Sequence, residues 1–491
     1  MSRSVAAINC VHSLVTDANF SAGKIELKNH REMIDKRDNF NTYHVAPAAT
    51  QGDGSGRYPR NFVKFPWFLK PLFWGDSLSR LITGKPAYLF KDSLLKIFDS
   101  VHAPNERWGS ADERGVLRKN LALFGRSNDD NPYISPMGRV LIKAMTKVHL
   151  ENRAATIDFF ESNREFIEAN GRIKAPLIVT GFPRTGTTLL QRLLSEDPST
   201  RSPYTYELEK STPPLRTGMD PKQDPRLKKS SASLAALSKM MPGFIEKFSE
   251  SHVVSPLEKE ESLAFMQFHN GMNILNGIGA GREYFRSMNQ PDVANALLKY
   301  ERNFFTMLDA YCPARSHWTL KAPEYAAYFG SIFDHYPDAR VVVTHRHPSK
   351  NLASVCRFFE TWLLPFDMDG SFDKLRFARF VQDEFSAFLT VPMEFRQANS
   401  QREAQIADCM YQDLFRDPIA VVKNIYAKFD LEYTPEFERR MKRYLAENQQ
   451  GKYGRHKYSN AEYGIEPHLL YQQNKTYFDF YGFKPDADSA D

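Results

Sequence analysis

Leu177–Ile178–Val179–Thr180–Gly181–Phe182–Pro183–Arg184–Thr185–Gly186–Thr187–Thr188, running on into Leu189–Leu190, decides how the rest of this 491-residue chain is read. Its first four residues are apolar or β-branched, which suits a strand covered on both faces. Gly181 and Gly186 hold the two glycine positions of G-x-x-x-x-G, the frame of a phosphate-binding loop. Thr187 and Thr188 then open a helix whose apolar face is Leu189, Leu190, Leu193 and Leu194. Strand, loop and helix in this order aim backbone N–H groups, a helix N-terminus and hydroxyls at an anion. A nucleotide-hydrolysing loop carries Lys and then Ser or Thr after its second glycine. Here Thr187 stands where that Lys would be, and the fixed charge is Arg184, inside the loop. The sequence predicts a phosphate site and argues against Mg–ATP hydrolysis.

Pro183–Arg184–Thr185–Gly186–Thr187–Thr188–Leu189–Leu190 resembles the 5′-phosphosulfate loop of the sulfotransferases that use 3′-phosphoadenosine 5′-phosphosulfate (PAPS). It is most similar to the broad family with a P-R-[ST]-G-[ST]-T loop. The resemblance implies that Pro183, Arg184, Thr185, Gly186, Thr187 and Thr188 hold the phosphosulfate of PAPS, a co-substrate used without a metal.

A second stretch, Arg340–Val341–Val342–Val343–Thr344–His345–Arg346–His347–Pro348, is a β-branched strand that ends in cations. A Walker-type strand would end in Asp to handle Mg²⁺. The helix that follows puts Leu352, Val355, Cys356 and Phe359 on one face and leaves Ser354 off it. Arg346 and Ser354 have the R-x₇-S spacing of the family's 3′-phosphate site, and the resemblance assigns them that role. A guanidinium fork and a hydroxyl are chemically suited to it. His345 and His347 are two apart with no third ligand, a weak metal pattern.

A third strand, Ser316–Lys321, stops at Ala322–Pro323. Lys321 lies at its C-terminal end, where α/β sheets place ligand groups, and it matches the family's Lys-small-Pro. The family's usual His two residues after that proline is Tyr325 here, which leaves Lys321 as the catalytic cation and Glu324 as a minor candidate base. Two residues compete as general base for an acceptor hydroxyl. Glu207, ahead of Pro213–Pro214, is the first candidate, with a solvated glutamate as the alternative. His252, ahead of Glu258, Glu260 and Glu261, is the second, with a structural or surface histidine as the alternative. Residues 210–250, basic and serine-rich, suit an acceptor lid, and the Phe- and Met-rich residues 262–312 suit helices around an acceptor pocket. In Gly451–Tyr458 the resemblance makes Lys452 and Arg455 candidates to close over the nucleotide.

Composition fits a soluble globular protein, with 42% hydrophobic and 25% charged residues. The net charge of +6 is too small and too dispersed to argue for nucleic acid. Cys10, Cys312, Cys356 and Cys409 show no metal spacing and read as reduced thiols. The first thirty residues lack a secretory core, and no window spans a bilayer; a cytoplasmic location is expected. The organisation expected is a flexible segment at 1–60, a mostly helical region at 61–170 with an aromatic arm (Phe62–Trp74), a sulfotransferase domain at 171–480 and a tail at 481–491. The arm suits packing on the main domain or a partner subunit, or peripheral membrane contact. Oligomeric state is open, a homodimer included. The expected fold class is α/β: a P-loop-like three-layer fold, with a mostly parallel central sheet flanked by helices and a helical N-terminal extension. The expected function is in-line transfer of a sulfuryl group from PAPS to a hydroxyl of a small-molecule, lipid or carbohydrate acceptor. A P-loop kinase or NTPase-like phosphoryl transferase and a non-catalytic nucleotide-binding scaffold are the alternatives.

Overall fold

The computed structural model describes residues 70–485, apart from segments at 85–86, 88–89, 103–110, 130–133, 241–242, 250–251, 263–281, 364–372 and 449–458. The chain partitions after Ser55, and every described residue lies in the second unit. The expectations on residues 1–60, on the aromatic arm as far as Leu69, and on Lys452 and Arg455 lie outside the described residues.

Four parallel strands form the sheet: β1 (Leu177–Gly181), β2 (Thr319–Lys321), β3 (Arg340–His345) and β4 (Ile406–Met410), in the order β2-β1-β3-β4. Register aligns Leu177 with Thr319 and Arg340, and Val341 with Ile406. Side chains alternate across a strand, and the sheet divides accordingly. Ile178, Leu320, Val341, Val343 and Ile406 enter one core. Leu177, Val179, Val342, Ala407 and Cys409 enter a second, with Leu190, Leu193, Val422, Ile425 and Phe437 from the covering helices. Helices therefore lie on both faces, giving three layers, as the run of β-branched residues requires.

The helices Lys91–His102, Ala111–Asp129, Pro136–Ser162 and Arg164–Asn170 make up the N-terminal region. Ser135 caps the longest by accepting from Gly138 N–H at 2.9 Å, with Pro136 in the first turn. Phe90, Leu94, Phe124, Leu150 and Ile167 join the larger core together with Phe304 and Phe305 of the helix Pro291–Tyr311. This region is thus one more layer on the sheet domain. Residues 225–240, read from sequence as part of a lid, form a helix. The Arg226 guanidinium pairs with the Asp224 carboxylate at 2.7 Å, both buried, and fixes that helix's start. Among the described residues no helix is long and apolar enough to cross a membrane.

Candidate active site

The first-quoted stretch folds as its residue types demand. β1 is fully buried. Gly181 has φ +139°, and a Cβ there would lie 2.5 Å from the Thr344 carbonyl oxygen of the neighbouring strand. Gly186 sits at the helix N-cap with φ +95°, where a Cβ would press Leu414 at 2.9 Å. Arg184, between them, has φ +68° without being glycine. That conformation costs about 1 kcal/mol or more and is typical of a backbone held for a purpose. The loop is held from outside by Asn351, which donates to the Pro183 carbonyl at 2.8 Å, and Arg346, which donates to the Arg184 carbonyl at 3.4 Å, and from within by Thr185, which donates to the Phe182 carbonyl at 2.6 Å. In the helix Thr187–Leu194, Leu190 N–H is bonded to the Gly186 carbonyl at 3.1 Å. The N–H groups of Thr187, Thr188 and Leu189 therefore face out of the helix start, ready for an anion.

The second cation stretch lies beside it. Arg346 stacks on Tyr411 with 4.2 Å to the ring centroid, and Arg184 lies 5.5 Å from the ring of Phe358. Asn351 and Phe358 lie seven residues apart in the helix Pro348–Leu363 and both touch the loop. Ser354 is buried and lies between them at the i+3 and i+7 spacing of one helical face. His345 and His347 are not a metal pair. His345 is bonded to Tyr477 and Asp408 at 3.0 and 2.9 Å, and His347 to Lys484 O and Ser349 at 2.8 Å each.

A buried polar cluster adjoins the loop. Lys321 ends β2, in register with Val179 of β1, and its ammonium pairs with Glu261. Glu260 takes Glu261 N–H on one oxygen at 2.8 Å and His252 Nε2 on the other at 2.8 Å. Burial alone would raise the Glu260 pKa, but His252 and Lys321 outweigh it and hold the carboxyl down at about 2. The bond to Glu260 fixes Nε2 as the protonated ring nitrogen of neutral His252, so Nδ1 carries the lone pair. The His252 ring lies 5.8 Å from Phe248 and 6.4 Å from Phe358, the ring that also meets Arg184. Among the described residues His252, Glu260 and Glu261 are the three whose ligand atoms gather within 4.8 Å, and the Lys321 ammonium is already bonded there. Glu324 is pushed up to about 8 by burial and by Glu261, against the pull of Lys321. Burial and Glu261 thus favour its protonated form. Beneath Lys321, Ser262 Oγ donates to its carbonyl at 3.3 Å and meets Tyr325 OH at 2.9 Å, and Tyr325 donates to Glu301.

Glu207 lies elsewhere. It is fully buried, with one oxygen on Arg201 at 2.7 Å and the other on Tyr204 N–H at 3.2 Å. Arg201 also donates to the carbonyls of Leu308 and Cys312 and pairs in the backbone with Trp318, just ahead of β2. Glu207, which the resemblance made the first candidate base, is a buried helix-capping carboxylate paired with the buried Arg201 guanidinium and not a solvated glutamate. Asn351, Phe358 and Tyr411 were not singled out from the sequence. The i+3 and i+7 spacing of Asn351, Ser354 and Phe358 was the signal available for two of them.

The residues fit an anionic nucleotide. Two guanidiniums, Arg184 and Arg346, an ammonium, Lys321, a helix start and two glycines that admit no Cβ converge on one edge of the sheet. The profile described as "Sulfotransferase family" matches residues 176–435. No curated protein matches the chain. Among solved structures, the sulfotransferase STF9 from Mycobacterium avium is similar at 22% identity with TM-score 0.69, over 80% of this chain and 97% of that one. The sulfotransferase STF1 from Mycobacterium tuberculosis H37Rv is similar at 21% identity with TM-score 0.64, over 78% of this chain and 98% of that one. At this identity the likeness speaks to the fold.

Proposed function

This chain belongs to the sulfotransferase family, and we propose that it moves a sulfuryl group from PAPS to a hydroxyl of a small-molecule, lipid or carbohydrate acceptor, with His252 as general base. The observation that carries the reading is the His252–Glu260 pair next to the Lys321–Glu261 pair, joined to the anion loop through Phe358 and Arg184. PAPS, when bound, supplies an activated sulfuryl group and leaves as adenosine 3′,5′-bisphosphate.

The chain's own residues divide the work. The loop N–H groups, Arg184, Thr187 and Thr188 hold the 5′-phosphosulfate, and Arg346 and Ser354 hold the 3′-phosphate. His252 Nδ1 takes the acceptor proton as the acceptor oxygen bonds to sulfur and the sulfur–bridging oxygen bond breaks. Glu260 keeps the ring in the required tautomer and stabilises the imidazolium that results. Lys321 offsets charge growing on the bridging oxygen. His252 is preferred to Glu207 as the base because both Glu207 oxygens are already engaged, one of them by the Arg201 guanidinium.

Thermal denaturation with adenosine 3′,5′-bisphosphate and, separately, Mg–ATP tests the donor. Bisphosphate at a hundredfold excess over its dissociation constant stabilises by about 2.7 kcal/mol, and Arg346→Ala should abolish that preference. Preference for Mg–ATP would restore the phosphoryl-transfer reading.

A further inference from the structure

In the helix Lys70–Thr83 an acidic side chain is buried while a row of large apolar side chains faces outward. Asp76 is 2% exposed, and its carboxylate accepts Ala87 N–H at 2.9 Å. Trp74, Leu78, Leu81 and Ile82, spaced to share one helical face, are 69%, 47%, 48% and 52% exposed. Single exposed apolar residues are ordinary, but four large ones on one face mark a contact surface.

Charge identifies what covers it. Residues 57–91 contain seven cations (Arg57, Arg60, Lys64, Lys70, Arg80, Lys85 and Lys91) and one acidic residue, Asp76, which is the one turned inward. An apolar helical face with an interfacial Trp, in a strongly basic stretch, has the chemistry of a helix lying in an anionic bilayer surface. A second copy of the chain would bring two such basic stretches together, and like charges oppose that arrangement. We propose that Lys70–Thr83 docks this protein on anionic lipid, with Trp74, Leu78, Leu81 and Ile82 in the headgroup–acyl boundary. This rests on the surface alone and does not depend on the catalytic reading.

Co-sedimentation of the full chain with phosphatidylglycerol–phosphatidylcholine vesicles, compared with pure phosphatidylcholine, tests it. Binding to the anionic vesicles is expected to be at least about tenfold stronger and to weaken with salt. The double variant Leu78→Glu/Ile82→Glu should lose at least about tenfold in vesicle binding while keeping its thermal midpoint, since both side chains are exposed. Should that variant not fold, Trp74→Ser serves with an expected loss of about threefold. Failure of the natural chain to bind anionic vesicles, or equal binding by a folded variant, overturns the proposal. So does a dimer of the natural chain that the double variant turns into monomers, which would assign the face to a second copy.

Discussion

The anion loop and the histidine–carboxylate cluster meet at Phe358 but are built in opposite ways. The loop is one contiguous stretch, Gly181 to Thr188, whose instrument is backbone: two glycines, a left-handed Arg184 and a helix start. The cluster is made of side chains, drawn from residues 252, 260–262, 301, 321 and 325. Backbone geometry is set by neighbours in sequence, so a spacing rule finds it. A cluster is set by which segments the fold brings together, and no spacing describes it. The difference teaches where sequence alone suffices and where it cannot.

Three substitutions press on that contrast. His252→Ala should lower turnover by about 10²–10⁴-fold with little change in bisphosphate affinity, as loss of a general base does. Steady-state kinetics and a binding isotherm separate the two effects, and unchanged turnover would remove His252 from the chemistry. Glu207→Gln should destabilise the fold by about 3 kcal/mol, because Arg201 is left buried without its counter-charge. Urea denaturation measures this, and turnover per folded molecule should hold. A large drop in turnover with unchanged stability would return Glu207 to the site. Asn351→Ala removes one bond to the Pro183 carbonyl and should weaken bisphosphate binding by about fivefold, roughly 1 kcal/mol. Calorimetric titration would detect it, and an unchanged affinity would mean that the loop holds itself.

Much of the sheet was legible. The β-branched run at 341–344 and the apolar run at 177–180 became β3 and β1. β1 and β3 are buried on both faces, which leaves a composition signature, whereas β4 exposes Asp408. Lys321 at a strand end was legible for the same reason. Proximity to a proline pair says nothing about what the Glu207 carboxylate meets, and its partner Arg201 lies only six residues away in sequence. His252 stood out in the sequence as a candidate, but its partner could not be chosen among Glu258, Glu260 and Glu261. In the fold these diverge, Glu258 to Arg192, Glu260 to His252 and Glu261 to Lys321. The basic serine-rich stretch that read as a lid holds the helix Pro225–Met240, and the buried Asp224–Arg226 pair at its start is a feature that composition does not report.

The order β2-β1-β3-β4 has a consequence for how the chain is made. The central strand β1 begins at Leu177 and its two neighbours begin at Thr319 and Arg340. During synthesis it therefore waits for about 140 further residues before either partner leaves the ribosome, on the order of ten to thirty seconds at ordinary elongation rates. Through that interval Leu177, Ile178 and Val179 form an apolar strand with two open edges, the kind of segment that pairs with the wrong neighbour. The anion loop, although the most local feature of the sequence, is among the last to take its shape. Its Gly181 backbone is fitted against Thr344, which lies beyond all of that chain.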